Sequence, residues 1–171
     1  MRKSLSPLSA KDYRVLAHFR HQIRRFLCFS ERAARSAGLQ PQQHQLLLSI
    51  KGLPPGAKPT VGALAWLLQL RHHSTVELLN RLVRRGLVRR QRSDADQRAV
   101  LIFVTPKGQR VLERLTLLHR NELRRNGPAL LRALTSVFID LDLFGADEPS
   151  AETPGTSGRP RKSKRPRSPA G

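Results

Sequence analysis

The chain has 171 residues and a formal net charge of +20, because 32 lysines and arginines face 12 acidic residues. This length favours one folded domain with an appendage. A charge this high favours a polyanionic partner, with nucleic acid first and an anionic membrane surface second. The single cysteine excludes an intrachain disulfide and a cysteine-built zinc site, and it fits a reducing cytosol. No apolar run approaches ~20 residues, which excludes a membrane-spanning helix, and the basic start lacks the apolar core of a signal peptide.

The first part of the chain predicts two helices and a loop. Residues 9–37 contain no proline or glycine, and Gly38 follows at a position typical of a helix end. Apolar side chains recur in this segment at spacings of three and four, so the long helix needs a partner, either another helix or a second copy of the chain. Pro41 starts a second helix that ends near Lys51, before a loop rich in proline and glycine.

A helix-turn-helix pattern follows the loop. Thr60 caps a short helix over residues 61–67, and the chain turns at residues 68–70. A longer helix then runs from about His72 to Arg85 and stops at Gly86. One face of the longer helix is assigned to the core and carries Thr75, Leu78, Leu79 and Leu82. The opposite face is mostly polar and carries His73, Val76, Glu77, Asn80 and Arg84.

After Gly86 the hydrophobic period changes from 3.6 to 2. Residues 87–91 and 99–104 therefore predict two strands, and the polar residues 92–98 predict the tip of a hairpin between them. This hairpin follows the helix-turn-helix directly.

The last third predicts two more helices and a tail. Thr105 and Pro106 start a helix that is expected to end at about Arg125, because Asn-Gly-Pro at residues 126–128 is typical of a break. A final helix is expected over residues 128–144. Residues 145–171 lack large apolar side chains and should be disordered. The tail holds six cations and three acids, so most of the positive charge belongs to the domain.

Three short motifs lie before, within and after the segment that holds the helix-turn-helix and the hairpin. They are GLQPQQ at residues 38–43, RLVRRGLV at residues 81–88, and DQR at residues 96–98 followed by TPKG at residues 105–108. In order and spacing they resemble the GLTPQQ, RLxxRGLV and DxR…LTxxG signatures of the MarR family of winged-helix transcription regulators. Val104 stands where that family usually has leucine.

The resemblance implies a fold that is mainly α with a small β-hairpin wing. It divides the chain into a winged-helix domain, residues 1–144, and the tail. Within the domain it implies dimerisation helices at about residues 9–37 and 128–144, and a DNA-binding part at about residues 58–104. The partners it implies are double-stranded DNA, a second copy of the chain and a small-molecule effector.

The resemblance also makes the helix from His72 the recognition helix, whose first residues reach base edges in the major groove. Outside this context, the two adjacent histidines would be interpreted as surface residues or as half of a metal site. Ser74 is as well placed to cap the helix as to contact DNA. Glu77 departs from the basic residue of many family members, so the base preference should differ. The DNA-contacting set is His72, His73, Ser74, Val76, Glu77, Asn80 and Arg84.

In the wing, the resemblance implies that Arg98 enters the minor groove and that Asp96 holds it in position. Arg90 and Arg92 complete the proposed wing contacts, and they add positive charge beside the phosphates. The alternative is a solvated, charged hairpin.

Cys28 has two interpretations. Some relatives sense oxidants through a cysteine in the first helix, and Arg24, Arg25 and Arg32 are close enough along the chain to stabilise a thiolate. The commoner situation for a cysteine among aromatic and leucine side chains is a small buried hydrophobe.

The sequence predicts neither a metal site nor a cofactor nor an enzyme. His18, His21, His44 and His119 have no carboxylate or cysteine cluster beside them, so solvated or core histidines are expected. No paired carboxylates, Ser-His-Asp arrangement or phosphate-binding loop stands out.

The function expected from these observations is a cytoplasmic, homodimeric, sequence-specific DNA-binding regulator. It would be a repressor relieved by a small ligand or another signal, and would join the bacterial nucleoid when bound to DNA. Two alternatives stay open. One is a nonspecific or architectural nucleic-acid-binding protein, and the other is an adaptor whose winged helix binds protein.

Overall fold

The computed structural model describes residues 8–92 and 99–141. The elements in these ranges are, in chain order, α1 (Ala10–Ser36), α2 (Pro41–Lys51), α3 (Val61–Leu68), α4 (His72–Arg84), β1 (Val88–Arg92), β2 (Val100–Val104) and α5 (Pro106–Asp140). The strands form a two-stranded antiparallel hairpin in which Val88 faces Val104 and Arg92 faces Val100. The mainly helical fold with one hairpin is the predicted fold class.

Local signals set the helix starts as predicted. Thr60 Oγ1 accepts a hydrogen bond from Ala63 N at 3.2 Å, which caps α3. At the start of α1, the Ser9 backbone N–H donates to Asp12 Oδ2 at 2.6 Å, and the Asp12 N–H donates to Ser9 Oγ at 3.3 Å. This reciprocal pair is a capping box, and the hydrogen bond that the Ser9 N–H donates to the carboxylate is the main cause that lowers the pKa of Asp12.

The core lies where α2 packs against the other helices and the hairpin. Residues from α2, α3, α4, the hairpin and α5 are fully buried there, among them Leu46, Leu47, Leu64, Leu79, Leu82, Ile102 and Leu115. The hairpin is also joined to the chain before α3, since the Ile102 N–H donates to the Pro59 carbonyl at 2.9 Å. These contacts fix the helix-turn-helix and the hairpin relative to each other.

The predicted break at residues 126–128 is wrong. α5 runs without interruption from Pro106 to Asp140, with Pro128 inside it. Leu115 before the proline and Val137 after it are both buried, and Lys11 Nζ lies 2.7 Å from Asp140 Oδ1 at the far end. Packing along α1 thus holds both halves of α5 in line. Because Pro128 is exposed, the carbonyl that it leaves without an intrahelical donor can be hydrated.

The partner helix that α1 needs is therefore found in the same chain, since α1 and α5 form a long antiparallel pair. Some apolar side chains on this pair stay exposed: Leu16, Leu27, Leu123, Leu131, Leu134 and Ile139. Within the described ranges, no helix is both long and apolar enough to cross a membrane.

Candidate nucleic-acid interface

The second helix of the helix-turn-helix, α4, has the two faces that the sequence predicted. Its core face, Thr75, Leu78, Leu79 and Leu82, is buried. On the other side His73, Glu77 and Arg84 are exposed, and Val76 and Asn80 are half-buried. Burial of one face fixes the helix to the domain and leaves the other face free to contact a groove of DNA.

The first two residues of α4 lie outside the core and are exposed to solvent. Gln69 adopts a left-handed conformation (φ 53°) that turns the chain between α3 and α4. Arg71 is the N-cap residue, and its side chain makes no capping hydrogen bond. Ser74 lies inside the helix, so the alternative in which Ser74 caps the helix is wrong. His72 and His73 are exposed at the first turn. The uncapped backbone N–H groups of this turn are suited to an anion such as a phosphate.

The hairpin is joined to the exposed face of α4 by a side-chain hydrogen bond. Arg90 Nη2 on β1 donates to Asn80 Oδ1 at 2.7 Å, so two predicted DNA-contacting residues lie side by side. The next arginine, Arg89, stacks on Phe103 at 5.0 Å from the ring centroid, while Arg92 at the end of β1 is exposed. The wing tip, with Asp96 and Arg98, lies outside the described residues.

Residues of the TPKG motif hold the end of α4 against the start of α5, a role that sequence patterns did not indicate. Thr105 Oγ1 donates to the Gly86 carbonyl at 2.7 Å and accepts from the Gly108 N–H at 3.1 Å. Lys107 Nζ donates to the Arg85 carbonyl at 3.0 Å. Gly108 lies so close to the Leu87 carbonyl that a Cβ there would collide with it. The motif therefore orients the hairpin relative to α4.

The charge of this part of the chain is strongly positive. Residues 71–92 carry seven arginines and one acid, Glu77, whose carboxylate lies 3.8 Å from Arg81 Nη2. The exposed ion pair contributes little to stability, so Glu77 remains available to a partner. A carboxylate at this position on the helix can accept from the amino group of cytosine.

Cys28 is exposed, which contradicts the interpretation as a buried hydrophobe. It lies on the outer side of α1, whereas the adjacent Phe26 and Phe29 rings are half-buried against His119. Arg24, Arg25 and Arg32 line the same surface groove. Redox sensing by Cys28 remains a prediction.

The four histidines separate into two kinds. His18 and His21 are exposed on α1, whereas His44 is buried beside His119 in the core. Among the described residues, no group of three or more histidine, cysteine or acidic side chains is arranged to hold a metal ion.

A two-helix unit with a polar second helix, followed by a basic antiparallel hairpin, defines a winged helix-turn-helix protein. Residues 37–99 match the MarR family model. This match covers α2, the helix-turn-helix and β1, so in these residues the chain is similar to the MarR family.

Solved structures of MarR-family regulators share the fold. AbsC, a MarR family transcriptional regulator from Streptomyces coelicolor, is 18% identical, with a TM-score of 0.64 over 81% of this chain and 94% of that chain. The transcriptional repressor CouR, bound to a 23-mer DNA duplex, is 28% identical, with a TM-score of 0.56 over 77% of this chain and 99% of that chain. A mutant of MepR from S. aureus, bound to an oligodeoxyribonucleotide, is 20% identical, with a TM-score of 0.56 over 75% and 97% of the two chains. Among curated proteins, no sequence matches this chain significantly.

Proposed function

We propose that this protein is a homodimeric transcription regulator that binds a specific double-stranded DNA sequence and acts as a repressor. The observation that carries the proposal is the exposed polar face of α4, with the hydrogen bond from Arg90 to Asn80 aligning the hairpin beside it. Its activity is binding rather than catalysis. That CouR and MepR are described bound to DNA supports the proposal by similarity.

In the proposed complex α4 lies in the major groove. His72, His73 and Ser74 reach base edges, and Val76, Glu77 and Asn80 line the wall behind them. Arg84 and Arg90 contact phosphates at either side. The wing residues Arg92, Asp96 and Arg98 keep the roles that the sequence predicts for them, with Arg98 in the minor groove.

The dimer is proposed to form through α1 and the distal half of α5. Apolar residues on both helices, such as Leu27 on α1 and Leu131 on α5, are exposed in the described part of the chain, and a two-fold axis would cover them. The proposed contributors are Phe19, Phe26, Leu134, Phe138 and Leu141. Of these, Phe26 also lies edge-on against His119 in the same chain. Two α4 helices in such a dimer would contact half-sites about 10 bp apart.

A repressor needs a release signal, and the proposed signal is a small ligand or an oxidant acting on Cys28. The proposed location is the cytoplasm, in contact with the nucleoid while the regulator is bound to DNA.

The test begins with selection of a preferred duplex from a random pool, followed by affinity measurements on the selected and a scrambled duplex at one salt concentration. We expect His73→Ala to reduce the preference for the selected duplex about 5- to 150-fold, because each good base contact is worth about 1–3 kcal/mol. Arg98→Ala should weaken binding markedly, and Asp96→Ala should do so less. Gln42→Ala, on the exposed side of α2, is the control and should bind like the parent.

Three results would contradict the proposal. Equal affinity of the parent for both duplexes would favour a nonspecific architectural protein. Absence of DNA binding would favour the adaptor alternative. A monomer by sedimentation at micromolar concentration would exclude the dimer.

A further inference from the structure

The outer surface of the α1–α5 pair carries two rows of cations to which the proposed function assigns no DNA contact. On α1, Arg14, Arg25 and Arg32 recur about three and two helical turns apart, so they share one face. On α5, four exposed cations recur about two, three and two turns apart and also share a face: Lys107, Arg114, Arg125 and Arg132. The seven side chains are all exposed.

The two rows lie on the same side of the helix pair. Arg25 and Arg32 line a groove whose opposite wall is formed by Glu122 and Asn126 of α5. Arg114 lines a second groove whose opposite wall includes Ser36 of α1. Since Ser36 follows Arg32 by about one turn, it belongs to the face of the α1 row. The seam between the helices therefore runs between the two rows.

The ion pairs of the described part of the chain do not involve these cations, and the one acid in the groove with Arg25 and Arg32 is Glu122. The ion pairs there join Lys11 to Asp140, Arg35 to Glu31 and Arg81 to Glu77, and none includes a member of the rows. The acid beside the α1 row, Glu122, accepts a hydrogen bond from Asn126 Nδ2 at 2.8 Å. A polyanion laid along the rows would place its negative charges beside these exposed cations.

The dimensions of the rows match a long anion better than a small one. At 1.5 Å per residue, the α1 row extends about 27 Å and the α5 row about 38 Å. A helical turn of duplex DNA measures about 34–36 Å, and it carries one charge per ~1.7 Å of axis. A small organic anion would need only one or two of these side chains.

We propose that the two rows, named here the stalk face, bind a second DNA duplex while the first lies on α4. α5 begins at the hairpin and leads outwards, so Arg125 and Arg132 lie roughly 30–40 Å along the helix from the wing. Because this distance separates them from α4, the proposal assigns these arginines to a separate DNA segment. The protein then bridges two DNA segments, a property beyond operator recognition and independent of any operator sequence.

The test is a bridging assay with full-length protein and random-sequence duplexes. One duplex of about 30 bp is attached to beads and saturated with protein, and capture of a second, labelled duplex is then measured across a salt series. The stalk-face variant replaces one arginine of α1 and two of α5: Arg32→Gln, Arg114→Gln and Arg125→Gln. The control variant makes the same charge change on other faces of the same helices: Arg20→Gln, Arg120→Gln and Arg124→Gln.

The parent and the control variant should capture the second duplex, and the stalk-face variant should lose most of this capture. Loss of three phosphate contacts should reduce the log–log salt slope of capture by about 2.7. Replacing the three stalk-face arginines by lysine keeps the charge and should retain capture. All substituted side chains are exposed, and the thermal melting temperature of each variant verifies its fold.

Two outcomes would overturn the proposal. An equal loss in the stalk-face and control variants would show an effect of total charge alone. Unchanged capture with a lower sedimenting mass of the stalk-face variant would show that a second copy of the chain covers this face.

Discussion

The imidazole rings of His44 and His119 lie 4.9 Å apart, centroid to centroid, where α2 packs between α1 and α5. His119 Nδ1 lies 2.7 Å from the Leu115 carbonyl oxygen, and because a carbonyl only accepts, Nδ1 is the donor. The other nitrogen, Nε2, then accepts from the Ser30 hydroxyl at 2.9 Å when the ring is neutral. His119 of α5 is thus bonded to α1 through Ser30, and the buried ring of His44 on α2 packs against it. This one side chain therefore joins three helices.

This pair makes the stability of the fold depend on pH. Burial, and then the charge of His119, lower the pKa of His44 from 6.5 to about 4. Between these two values the unfolded chain binds more protons than the folded one, so the free energy of unfolding decreases as the pH falls from 6.5 to 4. The full effect is at most about 3 kcal/mol. Denaturant unfolding at a series of pH values measures it.

His44→Leu removes the titrating group and should flatten this part of the pH profile. His18→Gln, on the exposed side of α1, is the matched control and should keep the slope of the parent. A profile for His44→Leu that is as steep as that of the parent would assign the acid sensitivity to other groups.

Pro128→Ala should stabilise the protein. The substitution restores a backbone N–H inside α5, where proline is roughly 3 kcal/mol less favourable than alanine. The stiffer unfolded chain of the parent offsets up to about 1 kcal/mol of this gain. We therefore expect an increase of about 2–3 kcal/mol in the free energy of unfolding, measured by denaturant titration.

Pro106→Ala is the control for this experiment. Pro106 stands in the first turn of the same helix, where no intrahelical donor is required, so its replacement should be nearly neutral. A destabilised Pro128→Ala variant would mean that the proline fixes a bend on which the pairing of α1 and α5 depends.

The sequence predicted α2, α3 and α4 closely, because their limits depend on local signals such as Pro41, Thr60 and Gly86. The break at residues 126–128 was predicted from equally local signals and is wrong, since packing against α1, distant in sequence, overrides a helix breaker. The contact of His44 with His119 and the hydrogen bond of Arg90 to Asn80 were not predicted for a related reason. Each joins residues on different elements, and no spacing pattern in one sequence encodes such a pair.

Gly108→Ala should destabilise the fold and displace the hairpin. A Cβ at this position meets the Leu87 carbonyl and the Val104 side chain, so the backbone of the hairpin or of α5 must move. Forced overpacking of this kind costs about 1–3 kcal/mol. Thermal melting measures the loss, and DNA affinity should fall with it because the wing changes its orientation relative to α4.

Gly62→Ala is the matched control. It lies within α3, and a Cβ there meets no atom within 4 Å. Alanine is a better helix former than glycine by about 1 kcal/mol, so this variant should melt at or above the temperature of the parent. If both glycine variants melted alike, the close approach at Gly108 would have no energetic consequence.

Residues 145–171 should add affinity for any DNA without adding discrimination. Six cations of this segment can neutralise phosphates, and phosphate contacts carry no direct sequence information. At −0.9 per phosphate, the segment contributes at most about −5 to the log–log salt slope, and its three acids reduce this value. A chain truncated after Phe144 should therefore show a flatter salt dependence. Its affinity for a selected and for a scrambled duplex should fall by a similar factor.

A second variant keeps the length of residues 145–171 and removes their positive charge. Replacing the six cations between residues 159 and 167 by glutamine should act like the truncation, because the expected effect is electrostatic. A full-length variant of this kind that binds like the parent would assign the effect to the uncharged part of the segment. If truncation abolished the preference for the selected duplex and spared random binding, the segment would instead take part in specific recognition. Salt titrations of the parent and both variants on the two duplexes separate these outcomes.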